Sequence, residues 1–279
     1  MHLSNYFEHD INMPKNLLIF LLIFTKLSLF STKICILVHG TWGQDSDWYQ
    51  SSGDFYQTLK EALPEQVKII SFRWSGLFDH VQRHLAGRNL ANLINSYPTG
   101  TKFILVGHSH GGNVGIIASQ QLQKEHQIEN FYALGTPIDT TNYLPNMQVI
   151  KNFYNIFSFG DLYQTVLGMH ERFLHAGPRI YNINIEIGDK RPDHEELHCP
   201  QIAKWLPHLP QQLAEFTCNN HFFAKFNQDN QPTISIETQL AQKLERDLRL
   251  HQHLCAALPS GQPDWRVFTN FANPSTSSG

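Results

Sequence analysis

Ser109 stands in Gly107-His108-Ser109-His110-Gly111-Gly112, between an apolar run at 103–106 and a segment whose Val114, Ile117, Ala118 and Leu122 share one helical face. A serine at a sharp strand-to-helix turn needs small neighbours, and Gly107 and Gly111 supply them. Its hydroxyl would then stand above the carboxyl edge of a sheet, close to a helix N-terminus that favours developing negative charge. That is the setting of a nucleophile for acyl transfer.

A nucleophilic serine needs a base, an acid to orient the base, and donors for the oxyanion. Val38-His39-Gly40-Thr41-Trp42 ends an upstream strand, so the backbone N–H groups of Thr41 and of His110 are the expected oxyanion donors. Trp42 and Trp48 either wall a substrate pocket or are ordinary packed loop aromatics. Asp161 follows the strand 153–159 on a turn begun by Gly160 and is favoured as the acid, because a later strand carries it in this order of residues. Asp139, after the preceding strand, is its rival. His194, delivered by the loop 188–193 after the alternating run 180–187, is the expected base, with His198 as the alternative. His108 and His110, flanking the serine, suit packing and hydrogen bonding better than proton transfer.

His194-Glu195-Glu196-Leu197-His198 also matches His-Glu-x-x-His, a zinc-protease pattern. That chemistry needs mid-helix positions, whereas Gly188 and Pro192 precede this segment and Pro200 follows it. It is the weakest of the enzymatic readings. Asp45-x-Asp47 is a faint hint of a calcium loop, and no metal site is assigned.

Strands expected at 34–38, 67–72, 103–106, 130–134, 153–159 and 180–187 alternate with helices around 55–63, 81–93 and 114–122. This alternation predicts an α/β fold, a mostly parallel sheet of about six strands covered on both faces, over residues 33–210. Residues 211–232 lack clear periodicity. Leu240, Leu244 and Leu248 predict a helix, so 211–279 is expected to be a partly helical extension with a frayed end. Residues 17–24 are continuously apolar and 27–30 nearly so, with Lys26 between them, which is short for a bilayer span. Segment 1–32 is therefore expected to be signal-like or membrane-associated. Export or membrane association follows if 13–31 acts as a signal or anchor, and a cytoplasmic location otherwise.

The chain of 279 residues is 41% hydrophobic and 12% aromatic, enough for a sizeable core. At 16% charged residues and a net charge of −3 it lacks the basic excess of a nucleic-acid binder. Its four cysteines form no Cys-x-x-Cys pair, which argues against a zinc ribbon or a disulfide scaffold.

The order Ser109, Asp161, His194, with His39-Gly40 upstream, resembles the α/β-hydrolase superfamily. The Gly-His-Ser-His-Gly-Gly form is similar to the nucleophile elbow of bacterial lipases and related serine esterases. The resemblance covers about residues 33–210, and Phe72-Arg73-Trp74-Ser75-Gly76 is similar to a strand end in the same group. It implies a Ser-His-Asp triad, an acyl-enzyme mechanism on a small-molecule or lipid ester, and no organic cofactor. With 51 residues between Ser109 and Asp161, a lid would fall around 140–151, favouring a carboxylesterase or small-lid lipase. A thioesterase or acyltransferase would use the same triad. A catalytically inactive hydrolase-fold binding domain is the alternative of another class.

Overall fold

Alternation in β1 (Lys33–Val38) sends Ile34, Ile36 and Val38 to one side and Cys35 and Leu37 to the other, and all five are buried. A strand apolar on both faces belongs inside a parallel sheet covered by helices. The computed structural model, which describes residues 32–167, 179–214, 216, 221–227 and 232–236, has this architecture. The other strands are β2 (Lys68–Phe72), β3 (Lys102–His108), β4 (Gln127–Leu134), β5 (Ile150–Phe157), β6 (Ile180–Ile187), β7 (His221–Phe226) and β8 (Pro232–Ile236). They form one sheet in the order β2-β1-β3-β4-β5-β6-β7-β8, parallel except for the antiparallel pair β7–β8.

All six expected strands are present, and the sheet does not stop there. β7 and β8 extend it past residue 210 to eight strands, correcting both the strand count and the reading of 211–232 as aperiodic extension. β7 is legible only in hindsight, because His-Phe-Phe-Ala-Lys-Phe alternates over just six residues and the partner it covers, β6, lies 34 or more residues upstream. β8 closes the edge, and Pro232 at its first position forgoes a ladder donor where an edge strand tolerates it. Segment 1–31 and the helix expected at 240–248 lie outside the described residues. Among the described residues no helix is long and apolar enough to cross a membrane.

The helices are α1 (Asp54–Ala62), α2 (His80–Asn95), α3 (His110–Ser119), α4 (Leu162–Leu167), α5 (Pro200–Trp205) and α6 (Leu209–Gln212). One face of the sheet, with Leu37, Val106, Tyr132 and Ile183, packs on Phe55 and Leu59 of α1 and on Ile202 and Trp205 of α5. The opposite face, with Ile36, Leu105 and Phe131, packs on Leu90 and Ile94 of α2 and Val114 and Ile117 of α3. α3 is buried throughout, which explains its small and apolar composition. On the α1/α5 face, Tyr132, Tyr154 and Tyr181 share one register across β4, β5 and β6. Their rings lie 5.0 and 5.1 Å apart and nearly parallel. The 140–151 stretch is not a detached lid. Tyr143 and Val149 are buried in the core, and Ile150 already opens β5.

Candidate active site

β3 ends at His108, and Ser109 turns the chain into α3 with φ 53° and ψ −134°. A side chain at this positive φ is strained, a cost of about 1–3 kcal/mol that surrounding structure must hold in place. Two bonds do so: the Ser109 N–H donates to Leu134 O at the end of β4 (2.9 Å), and Gly112 N–H donates to Ser109 O (3.0 Å). The turn works only with glycines. A Cβ on Gly111 would lie 2.2 Å from Val38 O, and one on Gly40 would lie 2.7 Å from Ser109 Cβ.

Asp161 follows β5 and is fully buried. Its Oδ2 is 2.7 Å from His194 Nδ1, and its Oδ1 accepts from Gln164 N–H at 2.9 Å. Gly135, at φ 57°, leaves room for this pair: a Cβ there would meet Asp161 Oδ2 at 2.8 Å and His194 Nδ1 at 3.2 Å. His194 is fixed from behind as well. His108 Nε2–H donates to His194 O (2.9 Å), and the two rings sit 4.5 Å apart. Burial, then the neighbouring His194 and His198, hold the His108 imidazole well below the usual histidine range, so it stays neutral.

Ser109, His194, Thr41 and His110 line one cavity of 410 Å³, with Trp42 and Trp48 in its wall. Of the two readings of these tryptophans, both line the pocket. Trp42 is 72% exposed and stacks on Phe78, whereas Trp48 is buried and stacks on His198. The cavity therefore brings together the expected nucleophile, base and both oxyanion donors, with Asp161 directly behind the base.

The alternatives are engaged elsewhere. Asp139 accepts from the backbone N–H groups of Thr141 and Asn142 and from Asn142 Nδ2, capping its own turn. His198 pairs with Glu195 at 3.0 Å rather than with Asp161. The His-Glu-x-x-His segment lies in a four-residue 3-10 turn, Glu195–His198, with Leu197 buried, and not in the middle of a helix. Asp45 of the faint calcium pattern forms an ion pair with Arg73 at 2.8 Å.

Two residues that the sequence marked only as parts of strand ends turn out to be bonded to each other. His39 Nε2 accepts from Trp74 N–H (3.1 Å), and Trp74 Nε1–H donates to His39 O (2.8 Å), locking the end of β1 to the segment after β2. Gly76 O then accepts from Trp42 N–H at 2.8 Å, shaping the loop that carries Thr41. The strand end Phe72-Arg73-Trp74-Ser75-Gly76 is thus a brace for the loop that carries Thr41.

Among curated proteins no sequence matches this chain. Among solved structures, the chain is similar to a cutinase-like protein from Cryptococcus sp., with 18% identity over 45% of this chain and 52% of that one, and a TM-score of 0.29. It is also similar to a lipase-esterase related protein from Clostridium acetobutylicum, with 10% identity over 78% and 95% of the two chains and a TM-score of 0.35. A metagenomic carboxyl esterase matches with 9% identity over 57% of this chain and 50% of that one, at a TM-score of 0.32. The chain thus spans about half the length of the first and third of these proteins. The model of the alpha/beta hydrolase family matches residues 35–267, most of the chain, and this protein belongs to that family.

Proposed function

We infer that this hydrolase-family protein is a serine esterase acting on carboxylic esters through Ser109, His194 and Asp161. The observation that carries the reading is the strained Ser109 on the wall it shares with His194, whose Nδ1 is 2.7 Å from the buried Asp161. In this reading His194 Nδ1–H donates to Asp161, leaving Nε2 to take the Ser109 proton as Oγ attacks the ester carbonyl. The N–H groups of Thr41 and His110 stabilise the oxyanion. His194 then protonates the departing alcohol, and water, activated by the same imidazole, releases the acid from Ser109. Small-molecule esters fit the 410 Å³ cavity. A thioesterase or acyltransferase would share every residue and differ in substrate.

The test is fluorophosphonate labelling of the full-length protein, with intact-mass readout and peptide mapping, beside Ser109→Ala. The expected result is one adduct, on Ser109, together with hydrolysis of p-nitrophenyl esters that the variant loses. A folded protein that takes no label and turns over no ester sinks the assignment in favour of a binding role.

A further inference from the structure

Beyond His110 from the cavity over Ser109 lies another. This second cavity, of 210 Å³, shares Phe78 and His110 with the first and is walled further by His80, Arg83, Asn113 and Tyr143. His80 and Arg83 belong to the first turn of α2, and His110 and Asn113 to the first turn of α3. The amino ends of two helices therefore converge here, and their dipoles favour a negative group.

Hydrogen bonding fixes what the wall offers. Asn113 Nδ2 donates to Pro137 O (3.1 Å) and to His110 Nδ1 (3.0 Å), so Nδ1 is the bare nitrogen and the proton sits on Nε2. That Nε2–H, Arg83 Nη1 and Asn113 Oδ1 are all buried with no partner among the described residues. His110 and Asn113 are themselves more than nine-tenths buried. Arg83 donates through Nε to Tyr143 Oη at 3.0 Å, and its guanidinium lies over the Phe78 and Tyr143 rings. The ion-paired arginines among the described residues are Arg73 and Arg191, not Arg83. Asp139 also borders this cavity, but its carboxylate is occupied by the three donors of its own turn. Two orphaned donors, one of them cationic, leave a site whose desolvation cost a carboxylate would offset.

The lining of the two cavities indicates which part of an ester each would meet. His194, which must protonate the leaving alcohol, lines the first cavity and not the second. The second cavity therefore faces the acyl portion.

We propose that this second cavity holds a carboxylate at the far end of the acyl chain, bound by Arg83 Nη1 and His110 Nε2–H, so that the preferred substrates are half-esters of short dicarboxylic acids. Asn113 Oδ1 is left to accept from a water or hydroxyl carried in beside that carboxylate. Burial first, then the charges of Arg83 and His194, push the His110 imidazole down to about 3, so Arg83 supplies the positive charge at neutral pH. This inference rests on the serine-esterase reading, and two separate readouts keep their failures apart.

Binding is measured by calorimetry on full-length Ser109→Ala protein, with monomethyl adipate against dimethyl adipate as probes. The expected result is tighter binding of the monoester and a loss of at least about tenfold when Arg83→Met is added, the scale of one charge-assisted bond. Arg83→Lys, which keeps the charge and loses the fork, should recover part of that loss. Turnover is measured as the ratio of kcat/KM for mono-p-nitrophenyl adipate over p-nitrophenyl hexanoate, which should fall about tenfold or more in Arg83→Met. Equal binding of the two adipates, or an unchanged ratio in a folded Arg83→Met protein, overturns the carboxylate site. Arg83-dependent binding in a protein whose Ser109 takes no fluorophosphonate supports the site and overturns hydrolysis instead.

Discussion

The two sides of the cleft differ in how their polar atoms are occupied. On the His194 side, both Asp161 oxygens accept, His194 Nδ1 is bound to Asp161, and His194 O is bound to His108. On the α2/α3 side, Arg83 Nη1, His110 Nε2 and Asn113 Oδ1 are buried and unmatched. Groups that must hold a geometry through a reaction are over-determined by partners, because a small misplacement of reacting atoms is expensive. Groups that wait for a ligand keep their bonding capacity open and carry a desolvation cost until it arrives.

The sharpest way to break the contrast is to unfasten the fixed side. Asp161→Asn preserves shape but no longer stabilises the Nδ1–H tautomer or the imidazolium, and kcat on a p-nitrophenyl ester should drop about 10⁴-fold. Gly40→Ala attacks the geometry without removing any reacting group. Its Cβ would press on Ser109 Cβ, 2.7 Å away, and a loss of about 10²-fold in kcat with the fold retained by circular dichroism is expected. Ser109→Gly should show what holding the serine costs. It frees the φ of 53° and should stabilise the protein by about 1–3 kcal/mol in urea melts while abolishing turnover.

Acid exposes the histidines that are buried neutral. The folded-state value of His110 lies near 3 against about 6.5 unfolded, so below pH 6.5 the unfolded chain binds the extra proton. His108 is displaced in the same direction. The resulting stability is fully present above about pH 6.5 and declines as pH falls toward 3. Melting temperatures should follow that course, and His110→Gln should flatten it. The smallest effect is expected from His198→Gln: His198 rests on Trp48 and Glu195 and takes no part in the Asp161–His194 pair. A change of less than about threefold in kcat/KM would sharpen the distinction, whereas a loss like that of Asp161→Asn would make His198 the base.

The fixed side of the cleft was legible in the sequence and the open side was not. Gly-x-Ser-x-Gly-Gly, an aspartate on a turn after a late strand and a histidine after the next are local signals, each tied to a strand end. Arg83 carries no such signal. It is one cation on an amphipathic helix, and only the crossing of α2 against α3 brings it to Asn113 and His110. The brace of His39 on Trp74 is hidden for the same reason, since its partners lie 35 residues apart. Strands buried on both faces announced themselves as apolar runs. β8, with three of its five residues exposed, has no such pattern to read.

The pairing of Ser109 N–H with Leu134 O has a consequence for how activity is lost. That bond joins the ends of β3 and β4, and Gly135 N–H in turn donates to Ile156 O at the end of β5, both at 2.9 Å. Ser109 is thus held by long-range strand pairing in the middle of the sheet as well as by the Gly112 bond of its own turn. The tyrosine ladder spans β4, β5 and β6 of the same sheet and offers a native optical signal there. In a denaturant titration, the loss of covalent capture of Ser109 and the change in tyrosine absorbance should follow one sigmoid, making Ser109 a reporter of whole-domain cooperativity.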